Sequence, residues 1–200
     1  MPRYVDHGER RQELIEAATE LVARRGRSAL TVRNLADALG TSTKVVSHYF
    51  DDMAELLHAT YTAAAERARA RLDDVTAADP LDVRGLIEAL LPLDQERHRD
   101  WLVWFAFWSE ALTSEALASD QRERARTTAL RLAATMRAMQ TAGRLPESCD
   151  IDRAADRLGA LIPGIAGQVV FDPKGWTAAR QRAALATELD LLGLAGVAAS

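Results

Sequence analysis

The chain is short of several residue types, and each shortage excludes something. It holds one cysteine, Cys149, in 200 residues. Neither an internal disulfide framework nor a cysteine-cluster zinc site can be built from one thiol, and a reducing compartment fits. Aromatics make up 6% of the chain, and Val, Ile and Thr are modest, which argues against an all-β fold. The longest charge-free stretch, Leu158 to Phe171, runs fourteen residues and contains a proline and three glycines. A membrane span needs ~18 or more. The opening MPRYVDHGERRQE has no apolar run and reads as no signal peptide. No charge sign dominates: the net charge is −4. That excludes a uniformly basic coat for nucleic acid, but not a local basic patch. There is no Walker loop, no Gly-x-Gly-x-x-Gly, no Gly-x-Ser-x-Gly and no His-Glu-x-x-His. Glu55 and His58 form a single Glu-x-x-His, whereas a di-metal carboxylate bundle needs two. The expectation is a cytoplasmic protein that is not an enzyme, has no cofactor, binds no metal and is not in the membrane.

Alanine is what the chain has in abundance, 38 of 200 residues, and arginine outnumbers lysine 23 to 2. Alanine loses no side-chain entropy in a helix, so the composition predicts an all-α fold. About nine helices can be placed by apolar period and caps. The first runs from about Glu9 to Arg25, with Leu14, Ala18, Leu21 and Val22 on one stripe and Gly26 as its stop. Thr31 caps a second, which ends at Gly40. Ser42 caps a third, Thr43 to Phe50. Asp52 with Glu55 resembles a capping box opening a long fourth helix to about Asp74, its second half reading as charged and solvated. Pro80 suits the first position of a fifth. Gln95–Leu112, Ser114 or Ser119 to Ala142, Ile151–Phe171 and Thr177 to about Leu194 follow. The tail GLAGVAAS reads as a fraying end.

The segment from Leu30 to Phe50 reads as helix, Gly-containing turn, helix: a helix-turn-helix. Val46 and Phe50, four apart, anchor the second helix. Thr43, Lys44, Ser47 and His48 then fall on or near its outer face, donors suited to phosphates and base edges. Between Arg24 and His48 five basic residues face one acid, Asp37, a local charge of +4 in a chain of −4. A structural helical corner is the bland alternative.

These positions together resemble the N-terminal domain of the TetR family of bacterial transcription regulators. The resemblance rests on the first helix, Gly26, Leu30-Thr31-Val32-Arg33, Leu35-Ala36, Gly40, Ser42, Ser47-His48-Tyr49-Phe50 and Leu56, and covers roughly residues 9–60. Ser42 to Phe50, with WLVWFAFWSEAL and FDPKGWTAARQR further on, is similar to the BetI-type branch. The resemblance implies a repressor that binds double-stranded operator DNA as a homodimer and releases it when a small-molecule effector binds. It implies DNA contacts at Thr31, Arg33, Ser42, Thr43, Lys44, Ser47, His48 and Tyr49, with Thr31 and Tyr49 on phosphates. It departs from the family at Lys44, commonly glycine, and at Asp51, Asp52 and Met53, where a phosphate-gripping lysine is usual. Residues 1–52 are expected to form the DNA-binding domain and 53–200 the ligand-binding and dimerisation domain. An all-α enzyme and a structural dimerisation module are the competing classes.

Two groups in the second domain invite a function. Taking Trp101 as zero, an ideal helix puts Trp104 at about 300°, Phe105 at about 40°, Trp108 at about 340° and Leu112 at about 20°. Such an aromatic stripe suits a quaternary ammonium or hydrophobic cation, and the BetI-type resemblance points to choline; ordinary core is the alternative. Glu110 falls near 180°. Met136, with Met139, adds an adaptable wall or more core. The eighth helix (Leu158, Ile162, Ile165, Val169) and the ninth (Leu185, Leu189, Leu192) read as a dimer interface, because the eighth is apolar over too much of its circumference for one face. Pro163 predicts a kink.

Overall fold

The computed structural model describes residues 7–194. Within them every regular element is helical: α1 (His7–Arg25), a 3-10 turn (Arg27–Ala29), α2 (Val32–Ala38), α3 (Thr43–Tyr49), α4 (Met53–Ala78), α5 (Val83–Leu90), α6 (Gln95–Ala111), α7 (Glu115–Thr141), α8 (Ile151–Phe171) and α9 (Ala178–Leu191). The fold is all-α, as the composition predicts. From residue 195 on, the expected fraying tail lies outside the described residues.

Local chemistry explains the boundaries. Thr31 Oγ1 accepts the Asn34 N–H at 3.1 Å and starts α2. Asp150 Oδ1 accepts the Arg153 N–H at 3.1 Å and starts α8. Thr177 does the same for α9 through Arg180 at 3.3 Å. The box at α4 is reciprocal: Asp52 Oδ1 accepts the Glu55 N–H at 2.7 Å, and Glu55 Oε2 accepts the Asp51 N–H at 2.8 Å. Such caps satisfy donors that a helix leaves open at its start.

Two expectations change. Pro80 lies in a turn, not at the first position of α5; that helix starts later because Asp82 accepts the Gly85 N–H at 2.7 Å. The second half of α4 is not wholly solvated: Ala64, Ala68 and Leu72 are buried at 4-residue spacing, so its charges occupy only the other faces. α8 continues through Pro163 to Phe171.

Contacts divide the chain into two compact units, residues 1–67 with 99–117, and 68–98 with 118–200. The line drawn from sequence after residue 52 follows a motif; the units follow packing, so α4 and α6 each contribute to both. In the first unit Leu14, Ala18, Leu35, Val46, Phe50 and Leu56 form the core under the helix-turn-helix. Tyr61 on α4 stacks on Phe107 of α6 at 3.6 Å and 7°. In the second unit α5 packs on α8, and Leu86, Ile87, Met136, Leu158, Ile162, Leu185 and Leu189 are buried.

Candidate nucleic-acid interface and effector site

The interface is built by two glycines and two anchors. Gly26 and Gly40 sit at φ 76° and 60°, the left-handed region where a Cβ is strained. Gly26 turns the chain off α1, its N–H bonding Val22 O at 2.9 Å. Gly40 ends α2, and the Thr41 N–H reaches back to Ala36 O at 2.9 Å. Asn34 Nδ2 donates to Ala29 O at 2.9 Å and ties the 3-10 turn to α2. Val46 and Phe50 are buried and seat α3, with the Arg11 guanidinium 4.8 Å from the Phe50 ring centroid.

With those anchors inward, Ser42, Thr43, Lys44, Ser47 and His48 are exposed, and so are Thr31 and Arg33 on α2's side. Tyr49 is half-buried. The eight residues named from sequence all belong to the first unit, seven of them exposed and Tyr49 half-buried. Ser42 makes no side-chain cap bond, which leaves its hydroxyl to an outside partner. Thr31 uses its oxygen as a cap yet keeps its own hydrogen to donate. Arg33 lies 4.0 Å from Asp37, a loose surface pair that holds its guanidinium only weakly. The acidic start of α4 also has a structural cause, because Asp52 serves as its cap.

One residue of this face is invisible in sequence. His7, the first residue of α1, lies 4.4 Å from the Tyr49 ring centroid and 5.6 Å from that of His48, which is 5.1 Å from Tyr49. The three rings form one cluster at the end of α3. No spacing rule could find His7, since 41 positions separate it from His48 and only the fold joins them.

α6 carries the second candidate site. Asp100, Val103 and Phe107 are buried, and so are Trp101 and Trp104 of the aromatic stripe, so the stripe shares the core face in part. Trp101 and Trp104 are buried at the stripe's inner edge, while Phe105 and Trp108 are partly exposed. The four rings touch: Trp101 lies 4.6 Å from Trp104, 5.4 Å from Phe105 and 5.8 Å from Trp108, and Phe105 lies 5.3 Å from Trp108. Met136 is fully buried, but on α7 in the second unit. Leu112 falls beyond α6 and is 87% exposed. The aromatic residues do not line the open groove of about 460 Å³ in the second unit, where α4 and α7 carry the Asp73–Arg131 pair.

Ion pairs tie α6 to the helices around it. Arg67 of α4 donates to the fully buried Asp100 through Nη2 at 2.6 Å and Nε at 3.1 Å. Arg99 reaches Glu20 at 2.6 Å and Glu16 at 2.9 Å on α1. The hydrogen bond from Arg99 holds the Glu20 carboxyl below the usual carboxylate range; burial opposes this and Arg24 adds to it. Glu110 lies 3.2 Å from Arg27, so it is engaged away from the stripe, as its angle predicts. Burial, with Asp150 beside it, pushes the Cys149 thiol up, which disfavours a reactive thiolate.

The residues named on α8 and α9 are largely covered by the chain's own packing. Leu158, Ile162, Ile165, Val169, Leu185 and Leu189 are each at most 4% exposed within the single chain, and Leu192 is half-buried. All but Leu192 lie on the inward faces of their helices. The outward apolar residues are Phe171, 86% exposed, and Leu191, 69% exposed.

Two family models match the chain: residues 14–60 fit "Bacterial regulatory proteins, tetR family", and residues 81–193 fit "BetI-type transcriptional repressor, C-terminal". The chain belongs to the TetR family. Among its TetR-family relatives, the transcriptional regulator PksA of Bacillus subtilis is 29% identical, covering 86% of this chain and 84% of that protein. The regulator BetI of Paraburkholderia phymatum is 31% identical over 82% of this chain and 83% of its own. A transcriptional regulator from Rhodococcus sp. RHA1 superposes with a TM-score of 0.80 at 25% identity, covering 91% of this chain and 95% of that one. A regulator from Saccharomonospora viridis, solved in complex with choline, superposes at 0.78 with 27% identity, covering 92% and 97%. This TetR-family chain is a DNA-binding transcriptional repressor of the BetI type. The family consists of regulators, and among the described residues no helix is long and apolar enough to cross a membrane.

Proposed function

We propose that the repressor is a homodimer in the bacterial cytoplasm that places two α3 helices in successive major grooves of a palindromic operator. Residues 1–52 bind DNA and residues 53–200 bind effector and partner. Base and phosphate contacts come from Thr31, Arg33, Ser42, Thr43, Lys44, Ser47, His48 and Tyr49. The observation that carries this reading is the exposed polar face of α3, held outward by buried Val46 and Phe50. The two α3 helices must lie about 34–36 Å apart, one helical turn of DNA. The second copy covers the outward faces of α8 and α9 at Phe171 and Leu191, exposed residues that a folded single chain leaves wet.

The effector is a small organic cation, held by the rings of Trp101, Trp104, Phe105 and Trp108. Aromatic faces attract such cations, and the choline bound by the Saccharomonospora regulator supports the class. Hydrophobic cations are the neighbouring choice. α6 carries both the aromatic cluster and the ion pairs to α1 and α4, so a shift of α6 tilts α4 and changes the spacing of the α3 helices. The ligand needs only to bind the wrongly spaced state more tightly. The test is a gel shift on DNA flanking the gene, followed by choline. Specific retention reversed by choline supports the reading; retention that no cation reverses removes the effector class.

His7 joins this machinery through the ring cluster. His7→Ala is expected to weaken operator binding about fivefold, equivalent to about 1 kcal/mol, with the melting temperature unchanged. Fluorescence anisotropy on labelled operator measures it. An unchanged affinity takes His7 out of the interface.

A further inference from the structure

Lysine is nearly absent from the chain: 25 residues are Lys or Arg, and only Lys44 and Lys174 are lysines. One of the two stands on the exposed face of α3, the helix proposed to enter the major groove. A phosphate contact alone does not ask for lysine there. The arginine fork grips phosphate through two parallel hydrogen bonds, where an ammonium acts as a point charge. What lysine has and arginine lacks is an amine that can shed its proton, attack a carbonyl carbon and lose its charge by acylation.

The surroundings of Lys44 suit that reaction. Arg10, Arg11, Arg24, Arg27 and Arg33 of the first unit each lie within 4.0 Å of a carboxylate. Lys44 has no ion pair or hydrogen bond among the described residues, and α3 carries no acid to hold its ammonium. His48 follows Lys44 by four positions, so the two side chains are neighbours on one helix face, and both are exposed. His48 is itself flanked by two rings, His7 at 5.6 Å and Tyr49 at 5.1 Å between centroids, which limit how its imidazole can turn. A nucleophile, a base one turn away and groups that orient the base are the parts of an activated nucleophile. Lys174 is also exposed, in the turn between α8 and α9, but neither of those helices carries a histidine.

We propose that Lys44 is an acylation site that switches the DNA face off, taking its acyl group from a thioester such as that of coenzyme A, with His48 as proton acceptor. His48 takes one proton from the ammonium and passes it to water. The amine then attacks the thioester carbonyl carbon; a C–N bond forms and the C–S bond breaks. The second proton lost by the nitrogen leaves with the sulfur as a free thiol. The product is a neutral amide, so each subunit loses one positive charge from the face that meets phosphate. The switch rests on the reading of Lys44 as a phosphate contact; the chemistry at the amine does not.

The test incubates the full chain with acetyl-coenzyme A at pH 8 and follows each lysine by peptide mass spectrometry, with Lys174 in the same molecule as the reference. Lys44 is expected to react at least about tenfold faster than Lys174, the scale of help a positioned base gives. His48→Gln should bring the two rates together, and saturating random duplex DNA at low salt should protect Lys44 alone. Anisotropy of the acylated protein on the same duplex should show the slope of log affinity against log salt shrinking by about 1.8 units, two phosphate contacts per dimer. Treatment of Lys44→Arg should leave that variant's own slope unchanged. Equal rates at Lys44 and Lys174, or a Lys44 rate untouched by His48→Gln, overturn the inference and leave the DNA interface standing. Fast acylation of Lys44 with affinity and slope unchanged overturns the switch and takes Lys44 out of the interface.

Discussion

Leu185→Glu is expected to unfold the second unit, and Phe171→Glu to leave it folded but monomeric. Leu185 is 0% exposed within the single chain and Phe171 is 86% exposed. A carboxylate driven into an apolar core without a partner costs several kcal/mol, a large share of a typical domain's 5–15 kcal/mol or so. Loss of helical signal and aggregation should follow for Leu185→Glu, and for Leu189→Glu, which is 1% exposed. Phe171→Glu or Leu191→Glu should keep the full helical signal and a cooperative melt, lowered only by the stability that association gives the wild type. Sedimentation should then report half the mass, and operator affinity should collapse because one α3 helix cannot span two grooves. A folded, dimeric Phe171→Glu protein moves the interface off this face.

Asp100→Ala is expected to lower the melting temperature by about 10 °C and to uncouple effector from DNA. Removing one partner of a buried pair costs about 3–5 kcal/mol, because the other charge is left uncompensated. Each kcal/mol is worth roughly 2–4 °C in a chain of this size. Glu16, 3.8 Å from Arg67, remains as a weak second partner and holds the effect to the lower end. Asp100→Asn, which keeps the shape and a hydrogen bond, should be milder in stability. It should retain operator binding yet lose most of the release by effector. Calorimetry and anisotropy with and without effector separate the two effects. Normal release in a stable Asp100→Asn protein excludes this pair as the link between α6 and α4.

Much of the fold and of the DNA face could be read directly, because both depend on local rules. Thr31, Asp150 and Thr177 cap their helices through side chains that any sequence shows. Gly26 and Gly40 stop helices because only glycine adopts that backbone cheaply. The outward face of α3 follows once Val46 and Phe50 are placed inside. What could not be read depends on tertiary packing. The apolar girth of α8 does not say which neighbour covers it: α5 packs on it within the same chain, and Phe171 stays exposed. The aromatic stripe on α6 is only part of its buried face, which also takes in Asp100, Val103 and Phe107, because periodicity reports an apolar side without saying which neighbour covers it. The His7 cluster exists only once side chains are placed. Pro80 misled for a simpler reason: two signals competed, and the Asp82 cap won.

The most direct test of the account is the affinity of the full chain for DNA flanking its own gene, against random DNA, across a range of salt. A repressor with the proposed interface binds a palindromic site there at least 10³-fold more tightly than random sequence at physiological salt. Lys44→Ala removes two phosphate contacts per dimer, so the slope of log affinity against log salt should shrink by about 1.8 units, equally on specific and random DNA. Binding that does not distinguish the flanking DNA from random sequence, with a slope untouched by Lys44→Ala, contradicts the account.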